Sequence, residues 1–209
     1  MTSETTFRGT RMPRSERRAQ LLDAAREVFV ERGYHAAAMD EIAVRAGVSK
    51  PVLYQHFPGK LDLYLALLDI SIDEFVDSVI HALDSTSDNK RRVAAAMETF
   101  FAFVGGQGDT FRLLFENDLT NADAVRGRLD SLTRRCAEAI APVIAEDTGL
   151  SNEESQLLAA GMVGMAQVAA RFWLASDGSL PRPDATALVA TLGWRGIRGF
   201  PRREGDRHE

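Results

Sequence analysis

Between Gly33 and Lys60 the chain reads GYHAAAMDEIAVRAGVSKPVLYQHFPGK, and this stretch admits few structures. A first helix over about 40–46 ends at Gly47, where the chain needs φ > 0 and glycine enters without strain. Ala43 is small and falls where a second helix must cross closely. Val48 plugs the turn. Ser49 offers a hydroxyl N-cap to the next helix, and Pro51 sits in its first turn, where the missing N–H has no intrahelical partner to lose. In that second helix, over about 50–57, Val52, Leu53 and Phe57 face inward. Lys50, Tyr54, Gln55 and His56 remain outside. A compact helix pair with a polar, aromatic and cationic outer face suits the major groove of DNA. The same pattern also suits a plain helical hairpin whose polar face is solvated.

The rest of the chain reads as helix, with no alternating β-branched run of strand length. The spacing predicts a flexible basic arm over 1–12, holding Arg8 and Arg11, and a first helix over about 14–32 with Leu21, Leu22, Ala25, Val28 and Phe29 on one face. After Pro58-Gly59 a long helix over about 60–84 carries a continuous apolar stripe. Further helices are expected at about 89–104, around 111–115, at 122–147 with Pro142 as a kink, at 151–176 and at 184–199. Ser151-Asn-Glu-Glu154 is a capping box, and Asp88 is a candidate cap. The expected organisation is all-α. A helix-turn-helix domain over 13–59 precedes a larger helical ligand-binding and dimerisation domain over 60–200, and a frayed tail follows at 201–209. There is no internal repeat.

Charge divides along the same line. The chain of 209 residues has a net charge of −5. Residues 1–60 hold ten Lys/Arg against seven Asp/Glu, whereas 61–209 hold fifteen against twenty-three. A basic head on an acidic body suggests a DNA-facing end rather than nonspecific coating of nucleic acid. The single cysteine, Cys136, excludes an intrachain disulfide and fits a reducing cytosol. In its apolar helical setting it reads as a small buried hydrophobe. No apolar leader opens the chain, and the charge-free run Ser155–Ala170 is shorter than a membrane span, so a cytoplasmic protein with no membrane partner is expected. His35 and His56 lack the further ligands a metal site needs, and no metal or cofactor is expected. No Ser/His/Asp order, phosphate loop or carboxylate pair marks an enzyme.

Gly33-Tyr34, Met39-Asp40-Glu41-Ile42-Ala43, Ala46-Gly47-Val48-Ser49-Lys50, Leu53-Tyr54-Gln55-His56-Phe57 and Lys60-Leu61 closely resemble the DNA-binding domain of TetR-family transcriptional regulators. The resemblance covers about 13–64 without a gap. It departs at Ala38, where members usually carry a threonine that caps the helix or touches a phosphate. The resemblance implies phosphate contacts for Tyr54, His56 and Lys60, and groove-facing readers in Lys50, Pro51 and Gln55. Chemistry agrees: a helix N-terminus with an adjacent ammonium holds phosphate, Gln pairs bidentately with adenine, and Lys reaches guanine.

In the body, Met97, Phe100, Phe103, Leu113, Phe115, Leu132, Cys136, Ile140, Met162, Met165, Phe172 and Trp173 are large or soft apolar residues on separate helices. They are either core or the lining of a cavity for a hydrophobic ligand. The family resemblance implies a small-molecule effector. Phe111–Asp118 together with KPVLYQHF is similar to actinobacterial fatty-acid synthesis regulators, which implies a long-chain acyl-CoA. The alternatives are a xenobiotic-sensing efflux repressor, or a helical dimer adaptor that does not bind DNA. Small residues on helix 151–176, Gly161 and Gly164 among them, with Leu188, Leu192, Trp194 and Ile197 on the last helix, form a candidate dimer face. The expected protein is a homodimer placing two recognition helices on a near-palindromic operator in double-stranded DNA.

Overall fold

The computed structural model describes residues 12–105, 123–176 and 179–198. Eight helices are present among the described residues, with no strand: α1 (Arg14–Ala36), α2 (Met39–Arg45), α3 (Lys50–His56), α4 (Lys60–Asp84), α5 (Asn89–Gly105), α6 (Asp123–Thr148), α7 (Asn152–Ala175) and α8 (Arg182–Arg198). The expected arm and tail, the helix around 111–115, and the side chains of Leu113, Phe115 and Ile197 lie outside what is described.

Two compact units form, Met1–Leu67 and Leu68–Glu209. In the first, α1 packs on α2 and α2 on α3, burying Leu21, Leu22, Ala25, Val28 and Phe29 of α1, Ile42 and Ala43 of α2 and Leu53 of α3. Gly33, at φ 74°, breaks the helical path near the end of α1, and Ala37 N–H then bonds back to its carbonyl at 3.1 Å. The division falls at Leu67, eight residues beyond the sequence boundary of 59, for a physical reason. Leu63, Tyr64 and Leu67 are fully buried, and the Tyr64 ring meets Phe29 edge-on at 5.3 Å and Tyr34 at 5.1 Å. Those aromatic contacts bind the first two turns of α4 into the first unit.

In the second unit α6 lies along α7, and α5 packs on both α7 and α8. Asp88 caps α5, accepting the Arg91 N–H at 2.8 Å. The Ser151–Glu154 capping box is complete: Ser151 Oγ accepts the Glu154 N–H at 3.3 Å, and Glu154 Oε2 accepts the Ser151 N–H at 3.0 Å. Helix α6 runs through Pro142 as one element. Helix α8 starts two residues before the expected 184, because Pro183 is tolerated in a first turn and the N–H groups of Asp184 and Ala185 both reach the Pro181 carbonyl at 3.0 Å.

Candidate functional site

The turn between α2 and α3 forms as its residues dictate. Gly47 adopts φ 64° and its N–H bonds to Val44 O at 3.0 Å, while Val48 N–H reaches Ala43 O at 3.0 Å. Gln20 of α1 donates to Ala46 O at 2.9 Å and so clamps the end of α2. Arg45 holds Glu27 and Glu31 of α1, and its bonds keep the Glu31 carboxyl below its usual range. These contacts fix α3, which buries Leu53 and Phe57 and presents Tyr54 and Gln55 outward, with His56 half-buried.

One expectation needs correction, and two expected contact residues already have partners within the chain. Ser49 is the N-cap of α3, yet its hydroxyl makes no capping bond. Its carbonyl instead accepts Val52 and Leu53 N–H at 3.0 and 3.3 Å, and Pro51 brings no N–H to cap. Lys50 is paired with Asp40 of α2 across the surface, so a base edge must compete with that carboxylate. Lys60 differs most. Its ammonium donates to the carbonyls of Tyr34 (2.8 Å), His35 (3.1 Å) and Ala37 (2.9 Å), and stands 4.6 Å from the centre of the Tyr34 ring. An ammonium has three N–H donors. All three go to the corner between α1 and α2, so a phosphate must compete with those carbonyls.

What the sequence reading missed is the start of α1. Pro13, Arg14, Arg17, Ser49, Gln55 and His56 line one groove of about 840 Å³. Burial, then the nearby charges of Arg14, Arg18 and Arg17, push the His56 imidazole below its ordinary range. Arg18 lies over the Phe57 ring at 4.3 Å. The groove is therefore cationic, with a mainly neutral imidazole and an amide in its wall. The signal was present in the run Arg14-Ser-Glu-Arg-Arg18, but helical periodicity assigns it only to a solvated face.

In the second unit an apolar cavity of about 30 Å³ lies among α4–α8. Of the expected lining, Met97, Phe100, Ile140 and Met162 share it. Val93, Val143, Ile144 and Trp194 line it too, and Asn89 and Asp147 mark one end, the amide bonded to the carboxylate at 3.3 Å. Phe103 and Leu132 line a second apolar space of about 10 Å³, which shares Phe100 with the first. There Phe75 contacts Phe100 and Phe103 at centroid distances of 4.8 and 4.4 Å. Three expected lining residues stand elsewhere. Cys136 is buried outside both spaces, and burial pushes its thiol up to about 12. Met165 packs under Gly193 of α8, where an added Cβ would lie 3.3 Å from its methyl. Trp173 meets Phe101 at a tilt, with ring centroids 5.7 Å apart, and donates its indole N–H to Leu180 O at 2.7 Å. The cavity holds about one water, whereas small-molecule sites span about 300–1,000 Å³. A large ligand enters only if these helices part or the two methionines repack.

The candidate dimer face is open in the single chain. Leu157, Phe172, Leu188 and Leu192 are 75%, 75%, 63% and 62% exposed. Gly161 and Gly164 have no atom within 4 Å of where a Cβ would stand. Phe172 thus belongs to this face rather than to core or cavity. Trp194 turns inward to the cavity, not outward to the face. Helix α7 is long and apolar enough to cross a membrane by length and composition, and, contrary to the buried helix its charge-free run suggested, much of its apolar surface is exposed here.

Residues 21–67 match bacterial regulatory proteins of the tetR family, and 78–206 match the tetracyclin repressor-like C-terminal domain. The HTH-type transcriptional activator FasR of Mycolicibacterium smegmatis is 46% identical over 93% of this chain and 89% of its own. A TetR-like regulator from Rhodococcus superimposes with a TM-score of 0.69, at 31% identity over 90% of this chain and all of that one. The Bacillus subtilis regulator FadR, solved in complex with stearoyl-CoA, has the same fold at a TM-score of 0.69, with 20% identity over 84% of this chain and 96% of its own.

Proposed function

The chain belongs to the TetR family of regulators, and from that membership we propose how its residues divide the work of a ligand-responsive, dimeric, DNA-binding transcription regulator. Helix α3 enters the major groove. Gln55 and Pro51 meet base edges, and Lys50 does so when it leaves Asp40. Tyr54, His56, Arg14 and Arg17 meet phosphates, which supply most of the affinity. The observation that carries this reading is the groove that brings Arg14 and Arg17 beside Gln55 and His56 on the outer side of the recognition helix. Two such helices, related by the dimer axis, reach successive major grooves about 34 Å apart. The exposed apolar face of α7 and α8 is the surface that makes the dimer, and the protein works in the cytoplasm, where its DNA lies.

The effector is a long-chain acyl thioester, and the regulated genes belong to fatty-acid metabolism. Support comes from the largely apolar wall of the cavity, polar only at Asn89 and Asp147, and from its soft methionines, which rearrange at little cost. The stearoyl-CoA carried by FadR, of the same fold, sets the ligand class to test first. Binding shifts the population between protomer arrangements that do and do not fit the operator. The test is a DNA-release titration with acyl-CoAs of increasing chain length. Each buried CH₂ adds about 0.8 kcal/mol, so each two-carbon step gains up to about tenfold in potency until the space is filled. A flat response, or equal release by planar cationic drugs, removes the lipid reading and leaves a xenobiotic sensor.

A further inference from the structure

Two ion pairs fasten α4 to α6. Arg128 grips Asp69 with both prongs, Nε to Oδ1 at 2.7 Å and Nη2 to Oδ2 at 3.1 Å, and Arg135 Nη1 holds Asp73 Oδ1 at 2.6 Å. They border a groove of about 440 Å³ whose other charged residue, among the described residues, is Asp123. On the same two helices, within one turn, Phe75 and Leu132 line the small apolar space that shares Phe100 with the larger cavity. The two small apolar spaces meet at Phe100 and have charged groups near their outer sides. One side is marked by Asn89 and Asp147, and there the nearby guanidinium of Arg92 is already held by Glu146, Asn89 and the Thr86 carbonyl. The other side carries two partly exposed guanidiniums held by Asp69 and Asp73, both more than half exposed, with Arg128 also donating to the Ala124 carbonyl at 3.0 Å.

We propose that Arg128 and Arg135 are the docking site for the phosphates of the effector's head, and that these phosphates take the guanidiniums from Asp69 and Asp73. The inference rests on the acyl-thioester reading and assigns the end at which the head sits. A guanidinium pairs with phosphate oxygens in the same forked geometry it uses for carboxylate, so the exchange needs no new side-chain placement on α6. The displaced carboxylates swing into water, where they lose little, because exposed pairs are weak. A polyphosphate head carries more charge than either aspartate and is anchored by its acyl chain, so it competes at high local concentration. From the level of Asp69 to that of Leu83, α4 rises about 21 Å at about 1.5 Å per residue. That length suits an extended long acyl chain running from this rim to the Asp147 end. Exchange also removes two ties between α4 and α6, which makes the head, and not the chain alone, part of the signal.

The experiment measures binding of palmitoyl-CoA and of palmitate to the full-length dimer by quenching of Trp194, which lines the cavity. Arg128→Gln with Arg135→Gln is expected to weaken palmitoyl-CoA about tenfold or more, as loss of charged hydrogen bonds does, while palmitate, which has no phosphate, binds as before. Asp69→Asn with Asp73→Asn removes the competitors and is expected to tighten palmitoyl-CoA by up to about fivefold. A merely structural pair gives the opposite sign for the aspartate variant. The proposal is overturned if the arginine variant binds palmitoyl-CoA as wild type does, if it loses palmitate equally, or if the aspartate variant weakens palmitoyl-CoA. Failure of the wild type to bind either probe overturns the acyl reading and this inference together. Binding of both probes by wild type with an indifferent arginine variant overturns the head site alone. Should the arginine variant not fold, the aspartate variant decides by the sign of its effect.

Discussion

Replacing Lys60 by methionine separates a strap from a phosphate contact. Methionine keeps much of the aliphatic stem and removes the three hydrogen bonds to Tyr34, His35 and Ala37 carbonyls. A hydrogen bond to a charged group contributes about 1.5–3 kcal/mol net. The three share one ammonium that remains partly in water, so the set is expected to contribute about 2–3 kcal/mol rather than the sum. The Ala37 N–H bond to Gly33 and the buried Tyr64 still hold the corner, so the first unit folds, with a lower melting temperature. DNA binding must then re-order the loosened link between α1 and α2, and affinity falls by up to about 30- to 150-fold per protomer. The slope of log K against log salt should not move, because no phosphate contact is lost. Anisotropy of labelled operator across a salt series reads both quantities, and a thermal melt reads the third. If the slope falls by about 1.8 per dimer, the value for two lost phosphates, with the melt unchanged, then the ammonium leaves its carbonyls for DNA and the strap is wrong.

Other perturbations test the remaining assignments. His56 is held below its ordinary value near 6.5 by burial and by Arg14, Arg18 and Arg17. A DNA phosphate reverses that field, so binding draws a proton onto the ring. Affinity should rise as pH falls toward the lowered free-protein value of the ring, with up to one proton taken up per protomer, and His56→Gln should flatten the profile; equal profiles for both proteins would exclude His56 from the linkage. Gln55→Ala should cost about 1–3 kcal/mol at its cognate base and little elsewhere, so selection from random DNA should return a motif relaxed at one position per half-site. Gly164→Leu places a side chain into open space in the single chain and gains helix propensity of up to about 1 kcal/mol. It overpacks a helix–helix dimer contact by about 1–3 kcal/mol. Sedimentation should show a folded monomer; a dimer of unchanged affinity would move the interface elsewhere on the chain.

How far the sequence could be read depended on which contacts decide each feature. The turn at Gly47, the capping box at Ser151 and the cap at Asp88 are settled by residues within a few positions of one another, and the structure forms them all. The roles that shifted were set by partners far along the chain. Lys60 was read from its own helix N-terminus, but its ammonium is taken by carbonyls more than twenty residues earlier. Lys50 and Asp40 meet only because α2 and α3 cross. The cavity lining was harder still, because an apolar stripe is the same sequence signal whether it faces core, cavity or partner. Trp194 and Trp173 each continue such a stripe, yet one lines the space and the other packs at a tilt against Phe101. Glycines divide them in retrospect: Gly193 is buried tightly under Met162 and Met165, which brings Trp194 inward, whereas Gly161 and Gly164 face nothing in their own chain. An empty Cβ position marks open space, as it also does at Gly127 and Gly196, so it is the exposed Leu157, Phe172, Leu188 and Leu192 that give this surface the apolar character of a contact. Composition alone placed small residues on α7; only the direction each one faces distinguishes a helix that needs its neighbour from a helix that needs another copy of itself.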